Sequence, residues 1–267
     1  DISCLVGSEM CIRDRSGMER LQGRRAFVTG AASGIGRATA QRLAREGAAV
    51  FCTDIAAEGA EETAKSIAAE GGTASAGAVD VSDRASANDA IERGVEALGG
   101  LDLVANVAGI LRPGHTHEQD PSVFDQTIAV NLTGTFNVCR AALPKLLEGG
   151  GSIVNIASAA ALQGVPYNAA YCASTAGVVG LTRSLASEYA RRDIRVNCIC
   201  PGGVSTPMTA AGFPVEGLDP ALMARIAPQM PKVAQPEEIA ALVAYLSSEE
   251  AAYMTGSAIT IDGGQLA

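Results

Sequence analysis

Lysine is almost missing from this chain: its 267 residues hold three, Lys65, Lys145 and Lys232. Histidine occurs twice, tryptophan not at all, and aromatic residues make up 4%. With a net charge of -9, the sequence lacks the clustered cations that a phosphate backbone requires, which argues against a nucleic-acid partner. No apolar run approaches the roughly 20 residues needed to cross a bilayer, so a membrane is not expected as a partner either. The seven cysteines form neither a CxxC pair nor a spaced framework. They read as small buried hydrophobes in a reducing compartment, and the expected location is cytoplasmic. Cys198 and Cys200 fall on one face of a strand, with no sign of a redox or metal role. His115 and His117 stand at i and i+2 without a carboxylate pair and read as surface residues, so no metal is expected.

Hydrophobic residues make up 48% and charged residues 18%, enough apolar material for one large α/β domain. The first 17 residues stand apart. "DISCLVGSEMCIRDR" has no apolar stretch of the kind a signal peptide needs, and it fits no element of the pattern that follows. Leu5 to Asp14 resembles the translated end of a transposase-type sequencing adapter. Residues 1–17 are therefore expected to be a disordered, non-native leader, and residues 18–267 the domain, starting at Met18.

From Arg25 short apolar runs alternate with helix-length segments. "AFVTG", "AAVFCTD" and the runs at 101–107, 151–156, 194–200 and 257–261 read as strands. Residues 57–70 and "GRATAQRLAREG" read as helices. Strands joined by helical crossovers predict a doubly wound parallel sheet of Rossmann type, covered on both faces, in a single domain. No repeat or linker divides it. The segments 121–147 and 169–190 read as long helices that are apolar on more than one side. Such helices need a second cover, and a partner subunit supplies one.

"TGAASGIG", Thr29 to Gly36, follows the first strand directly. Its glycines, Gly30, Gly34 and Gly36, permit a tight turn and close backbone approach, and the helix they open offers N–H donors to a pyrophosphate. Ser33 and Ile35 belong to the same turn. Asp54 ends the second strand 18 residues past Gly36, where a carboxylate would accept hydrogen bonds from ribose hydroxyls and repel a 2′-phosphate. Ser33, Ile55 and Ala56 carry no charge that would attract one. The expected cofactor is NAD. Asp80 and Val81 read as the end of the third strand. Two readings of Asp80 stand: it holds the adenine, or it caps the helix opened by "DVSDRAS".

These motifs, together with "NVAG" at 106–109, Asn131 in "VNLTG", Ser158 in "IASAA", Tyr171 in "YCAST", "PGGVSTPM" at 201–208 and "IDGG" at 261–264, resemble the short-chain dehydrogenase/reductase family from Leu21 to Ala267. The resemblance implies that Tyr171 is the general acid or base, that Ser158 polarises the substrate oxygen and that Asn131 positions a relay water. It places Asn106, Ala108 and Gly109 at the cofactor. Pro201, Gly202, Val204 and Thr206 would line the nicotinamide, residues 207–231 would form a substrate lid, and the assembly would be a homotetramer.

One position departs from the family. The lysine expected one helical turn after Tyr171 is Thr175. A free tyrosine has a pKa of about 10, so roughly one in a thousand is ionised at pH 7. Threonine brings no charge to change that, and Arg183, two turns on, points elsewhere. Lysine to threonine can arise from a single-base change, so Thr175 reads either as an altered sequence or as a natural variant. Two functions follow. One is an NAD-dependent oxidoreductase interconverting a secondary alcohol and a ketone, impaired by Thr175. The other is a catalytically inactive NAD-binding homologue that serves as sensor or scaffold.

Overall fold

The computed structural model describes residues 19–210, 212 and 214–267, so the leader at 1–17 and Met18 lie outside the described residues. Seven strands form one sheet: β1 (Arg25–Thr29), β2 (Ala49–Asp54), β3 (Thr73–Ala78), β4 (Leu103–Asn106), β5 (Gly151–Ile156), β6 (Ile194–Pro201) and β7 (Ala258–Ile261). Every pairing is parallel, and the order is β3-β2-β1-β4-β5-β6-β7. The chain reverses its direction of travel between β1 and β4, which opens a crevice at the carboxyl ends of those strands.

The uninterrupted apolar strands have a direct physical cause. Neighbouring residues of a strand point to opposite faces, and here both faces are covered. Val28, Val50 and Val154 pack on one side with Leu43, Ile67 and Ile239. Phe27, Phe51 and Ile153 pack on the other with Ile91, Val138 and Leu146. The covering helices are α1 (Gly34–Arg45), α2 (Ala57–Ala69), α3 (Arg84–Leu98), α5 (Gly134–Leu146), α6 (Ala169–Tyr189) and α9 (Pro236–Ser247). Three shorter ones complete the set: α4 (Pro121–Ile128), α7 (Pro207–Ala210) and α8 (Pro220–Ala224).

Two expectations need correction. The third strand ends at Ala78 rather than at Val81, because Asp80 turns the chain by accepting from both the N–H and the hydroxyl of Ser82. The cap of α3 is Asp83, which accepts from Ser86 N at 2.9 Å, so Asp80 is not that cap. The segment 121–147 is not one regular helix either. A π-helical turn, Ala129–Thr133, separates α4 from α5. Such turns insert a residue into the helical ladder and often mark functional positions. This one carries Asn131.

Candidate functional site

All but one of the residues named above as catalytic or cofactor-binding candidates border one cleft of about 410 Å³ at the reversal point. The turn after β1 brings Gly30, Ser33, Gly34, Ile35 and Gly36, and the end of β2 brings Asp54. Asp80 and Val81 come from the chain after β3, and Ala108 and Gly109 from the chain after β4. Asn131 enters from the π turn, Ser158 from beyond β5, and Tyr171 and Thr175 from α6. The chain at the end of β6 closes the ring with Pro201, Gly202, Val204 and Thr206.

Asn106 is the exception. As the last residue of β4 it points into the helix layer. Its amide donates to Asn155 Oδ1 at 2.9 Å and to Cys139 Sγ at 3.3 Å, so it braces the core beneath the site. Thr29 is a support that the sequence did not single out: its hydroxyl oxygen accepts from Val107 N at 2.9 Å and Ala108 N at 3.1 Å. Ile55, Gln126, Val130 and Met208 border the cleft as well. Val130 and Met208 lie inside quoted motifs without an assigned role, Ile55 is read above only for its lack of charge, and no motif marks Gln126.

The nucleotide end is tightly constrained. Gly30 adopts φ +70°, and a Cβ there would lie 2.9 Å from Ala108 N. A Cβ on Gly36 would lie 2.0 Å from Gly30 O, inside any permitted contact. The turn therefore packs backbone on backbone. Ser33, the residue preceding α1, makes no side-chain cap, and no acidic residue occupies the first turn of the helix. That end of α1 suits a pyrophosphate, both through its N–H donors and through the helix dipole. Asp54 is held by Ala32 N at 3.0 Å and Ala56 N at 2.9 Å, which fixes its carboxylate at the edge of the cleft. Arg37 follows the turn, but its guanidinium is engaged by the Ala32 carbonyl at 2.5 Å and by Glu62 at 3.6 Å. These residues fit a nicotinamide dinucleotide.

The chemical end is differently built. Asn131 is 6% exposed. Its amide donates to Ile110 O at 3.0 Å and Ser174 Oγ at 3.1 Å, and its oxygen accepts from Ile110 N at 2.8 Å. It thus ties the β4 loop to α6, with one lone pair to spare for a water. Ser158 Oγ accepts from Ala160 N at 3.2 Å, starting a short 3₁₀ turn. Desolvation pushes the Tyr171 phenol above its ordinary pKa, and the neighbouring Ser158 hydroxyl offsets only part of that. Thr175 is 3% exposed. Its hydroxyl donates to Tyr171 O at 2.8 Å and Cys172 O at 3.3 Å, so it is bonded back into its own helix and offers the cleft no donor. Among the described residues, the only charged side chains bordering the cleft are Asp54 and Asp80. Among the described residues, no cation borders the cleft beside the phenol.

Known proteins resemble this chain along most of its length. Residues 30–265 match a family model described as enoyl-(acyl carrier protein) reductase. The 3-oxoacyl-[acyl-carrier-protein] reductase FabG of Thermotoga maritima is 39% identical over 246 residues, covering 92% of this chain and 98% of that protein. A D-threitol dehydrogenase of Mycolicibacterium smegmatis is 40% identical over 246 residues, covering 92% of this chain and 94% of that one. Among solved structures, a short-chain dehydrogenase from Mycobacterium paratuberculosis bound to NAD superposes with a TM-score of 0.87 at 37% identity, covering 92% of this chain and 98% of that one. One from Burkholderia cenocepacia in complex with NADP gives 0.84 at 35%, covering 93% and 100%. With the sheet order, the glycine turn and the relatives in agreement along almost its whole length, the chain belongs to the short-chain dehydrogenase/reductase family of oxidoreductases.

Proposed function

We propose that this protein uses NAD to interconvert a secondary alcohol and a ketone, and that Thr175 slows it. The observation that carries the reading is that Ser158 and Tyr171 open on the same cleft as the glycine turn and Asp54. Hydride and proton can therefore leave one carbinol from neighbouring points. A nicotinamide held along Pro201, Gly202, Val204 and Thr206 would supply the hydride chemistry. Ser158 donates to the substrate oxygen, and Tyr171 exchanges the proton with it. Asn131, fixed between Ile110 and Ser174, holds a water that links the phenol to solvent. Residues 207–231 cover the substrate.

The preference for NAD rests on Asp54. Its fixed carboxylate accepts from the ribose hydroxyls and repels a 2′-phosphate, and the nearby Arg37 is already engaged. NAD binds at least about tenfold more tightly than NADP, roughly 1.4 kcal/mol. Titration of both cofactors tests this, and equal affinities overturn it.

The slowing follows from electrostatics. Alcohol oxidation needs the phenolate. Desolvation disfavours that anion, and no cation at 175 restores it. Turnover of a panel of secondary alcohols with NAD, compared between this chain and Thr175→Lys, tests the reading. Failure of both on every alcohol and ketone tried counts against it.

A second reading keeps the fold without the chemistry, as an NAD-binding sensor or scaffold. The inward-bonded hydroxyl of Thr175 favours it. The two readings part on whether Thr175→Lys gains activity.

Assembly belongs to the same proposal. Phe124 and Phe136 are 44% and 40% exposed on α4 and α5, and the small residues Ala173, Ala176 and Gly180 lie exposed on α6. These faces pair in a homotetramer, and light scattering that finds a stable monomer at micromolar concentration overturns that. The protein acts in the cytoplasm on a small molecule, and no described helix is long and apolar enough to cross a membrane.

A further inference from the structure

Tyr167, four residues before Tyr171, has φ +63°. A bulky aromatic side chain in the left-handed region is unfavourable and persists only where its surroundings over-determine it. Those surroundings are two separate loops. The Tyr167 carbonyl accepts from Gly114 N at 2.8 Å, in the loop after β4. The phenol oxygen accepts from Asp219 N at 3.0 Å, in the segment between α7 and α8. The ring meets the His115 ring edge-on, with centroids 5.0 Å apart. His115 in turn reaches the same segment, with Nε2 donating to Glu216 O at 2.9 Å. Its own loop is braced, because Glu118 N and Gln119 N both donate to the His115 carbonyl at 3.0 and 2.9 Å.

Residues 214–227 have little else to hold them. Among the described residues, those two bonds, to Tyr167 and His115, are the only hydrogen bonds or ion pairs that join 214–227 to the rest of the chain. The remainder are internal to the segment or absent. Val215, Leu218, Leu222, Met223 and Ile226 are only half-buried, so apolar packing alone is a weak anchor. Met208 and Thr209, a few residues ahead of this segment in the chain, border the cleft.

We propose that Tyr167 and His115 are positioning residues that clasp residues 214–227 onto the body of the molecule and so set how tightly the substrate mouth closes. The proposal rests on the reading that residues 207–231 cover the substrate. The strain at Tyr167 then has a purpose: it turns the phenol outward to Asp219 while α6 continues inward to Tyr171. Neither residue borders the cleft, so neither acts on substrate or cofactor directly.

Amide hydrogen exchange on the full chain, saturated with NAD, tests this without requiring turnover. A failure here is thus separate from a failure of the oxidoreductase reading, which the alcohol panel decides. Tyr167→Phe and His115→Ala should each speed exchange across 214–227 about three- to tenfold, and together they should speed it further, because each lost bond is worth about that factor. Exchange in β1 and β6 and the affinity for NAD should not change. His115→Gln, whose side-chain amide can still donate to Glu216 O, should return within about twofold of the parent. Tyr167→Gly removes both the strain and the phenol, so the segment should exchange faster while Tm holds or rises. Unchanged exchange at 214–227 in the double variant overturns the proposal. So does a uniform rise that includes the sheet, or a fall in Tm for Tyr167→Gly with the segment still protected, since either makes Tyr167 a packing residue.

Discussion

The two ends of the cleft are built to different standards. At the nucleotide end, Gly30 and Gly36 pack against backbone so closely that a single methyl has no room, and Asp54 is fixed by two amides. At the chemical end, Tyr171 and Ser158 are in place, but the phenol sits in a desolvating wall with no cation beside it. Binding a cofactor needs shape and donors, which small residues and helix geometry supply. Moving a proton at neutral pH needs a tuned charge, and one side chain can remove it. The difference predicts that this fold keeps the first property when it loses most of the second.

The largest effect is expected at the weaker end. Thr175→Lys places an ammonium beside Tyr171, and general acid–base catalysis is worth on the order of 10²–10⁴ in rate. Alcohol oxidation at pH 7 should rise by a comparable factor in a steady-state assay. The next effect breaks the stronger end. Gly36→Ala forces a methyl onto Gly30 O, and overpacking of about 1–3 kcal/mol should weaken NAD about ten- to hundredfold in a fluorescence titration, with the far-ultraviolet circular dichroism retained. Asp54→Ala should narrow the preference for NAD over NADP by up to about tenfold in the same titration.

A smaller effect lies outside the cleft and serves as its control. Glu46 is buried; desolvation pushes its pKa up, but hydrogen bonds from Arg20 at 2.8 Å and Arg42 at 2.5 Å outweigh that and hold it below the ordinary value. A lowered folded-state pKa gives stability that is present above the unfolded value of about 4.3 and is lost as pH falls through the folded one. Glu46→Gln should cost about 2 kcal/mol near pH 7 and flatten the decline in Tm below about pH 4, while leaving NAD affinity unchanged. The smallest effect is expected at residues 1–17: the sequence reading of them as a non-native leader predicts that a chain starting at Met18 melts within about one degree of the full chain.

Much of this was legible in the sequence, for reasons that can be named. Strands β1, β2, β5 and β6 announce themselves because burial on both faces demands unbroken apolar runs. The third strand, "TASAGA", lies at the sheet edge with half-exposed small residues, so its pattern is faint and its end was misplaced. The π turn at Ala129–Thr133 is invisible because the apolar spacing runs through it unbroken. Asn106 shows how far a motif reaches. The "NVAG" motif places the chain at the cleft, but the pleat of β4 decides which way Asn106 points, and that is toward Asn155. His115 and Tyr167 meet Glu216 and Asp219 across 101 and 52 residues of sequence, and no local pattern encodes contacts of that kind.

The central claim is that the missing charge at Thr175 governs the proton step, and the most direct measurement of it is the pH dependence of NAD-linked alcohol oxidation in this chain and in Thr175→Lys, side by side from about pH 6 to 10. If the claim holds, the rate with Thr175 climbs close to tenfold per pH unit without levelling off below about pH 10, because it tracks the phenolate of a tyrosine whose pKa is raised. The lysine form then levels off nearer neutral. Parallel profiles of equal height in the two proteins would contradict the claim and assign the lysine's work to another group.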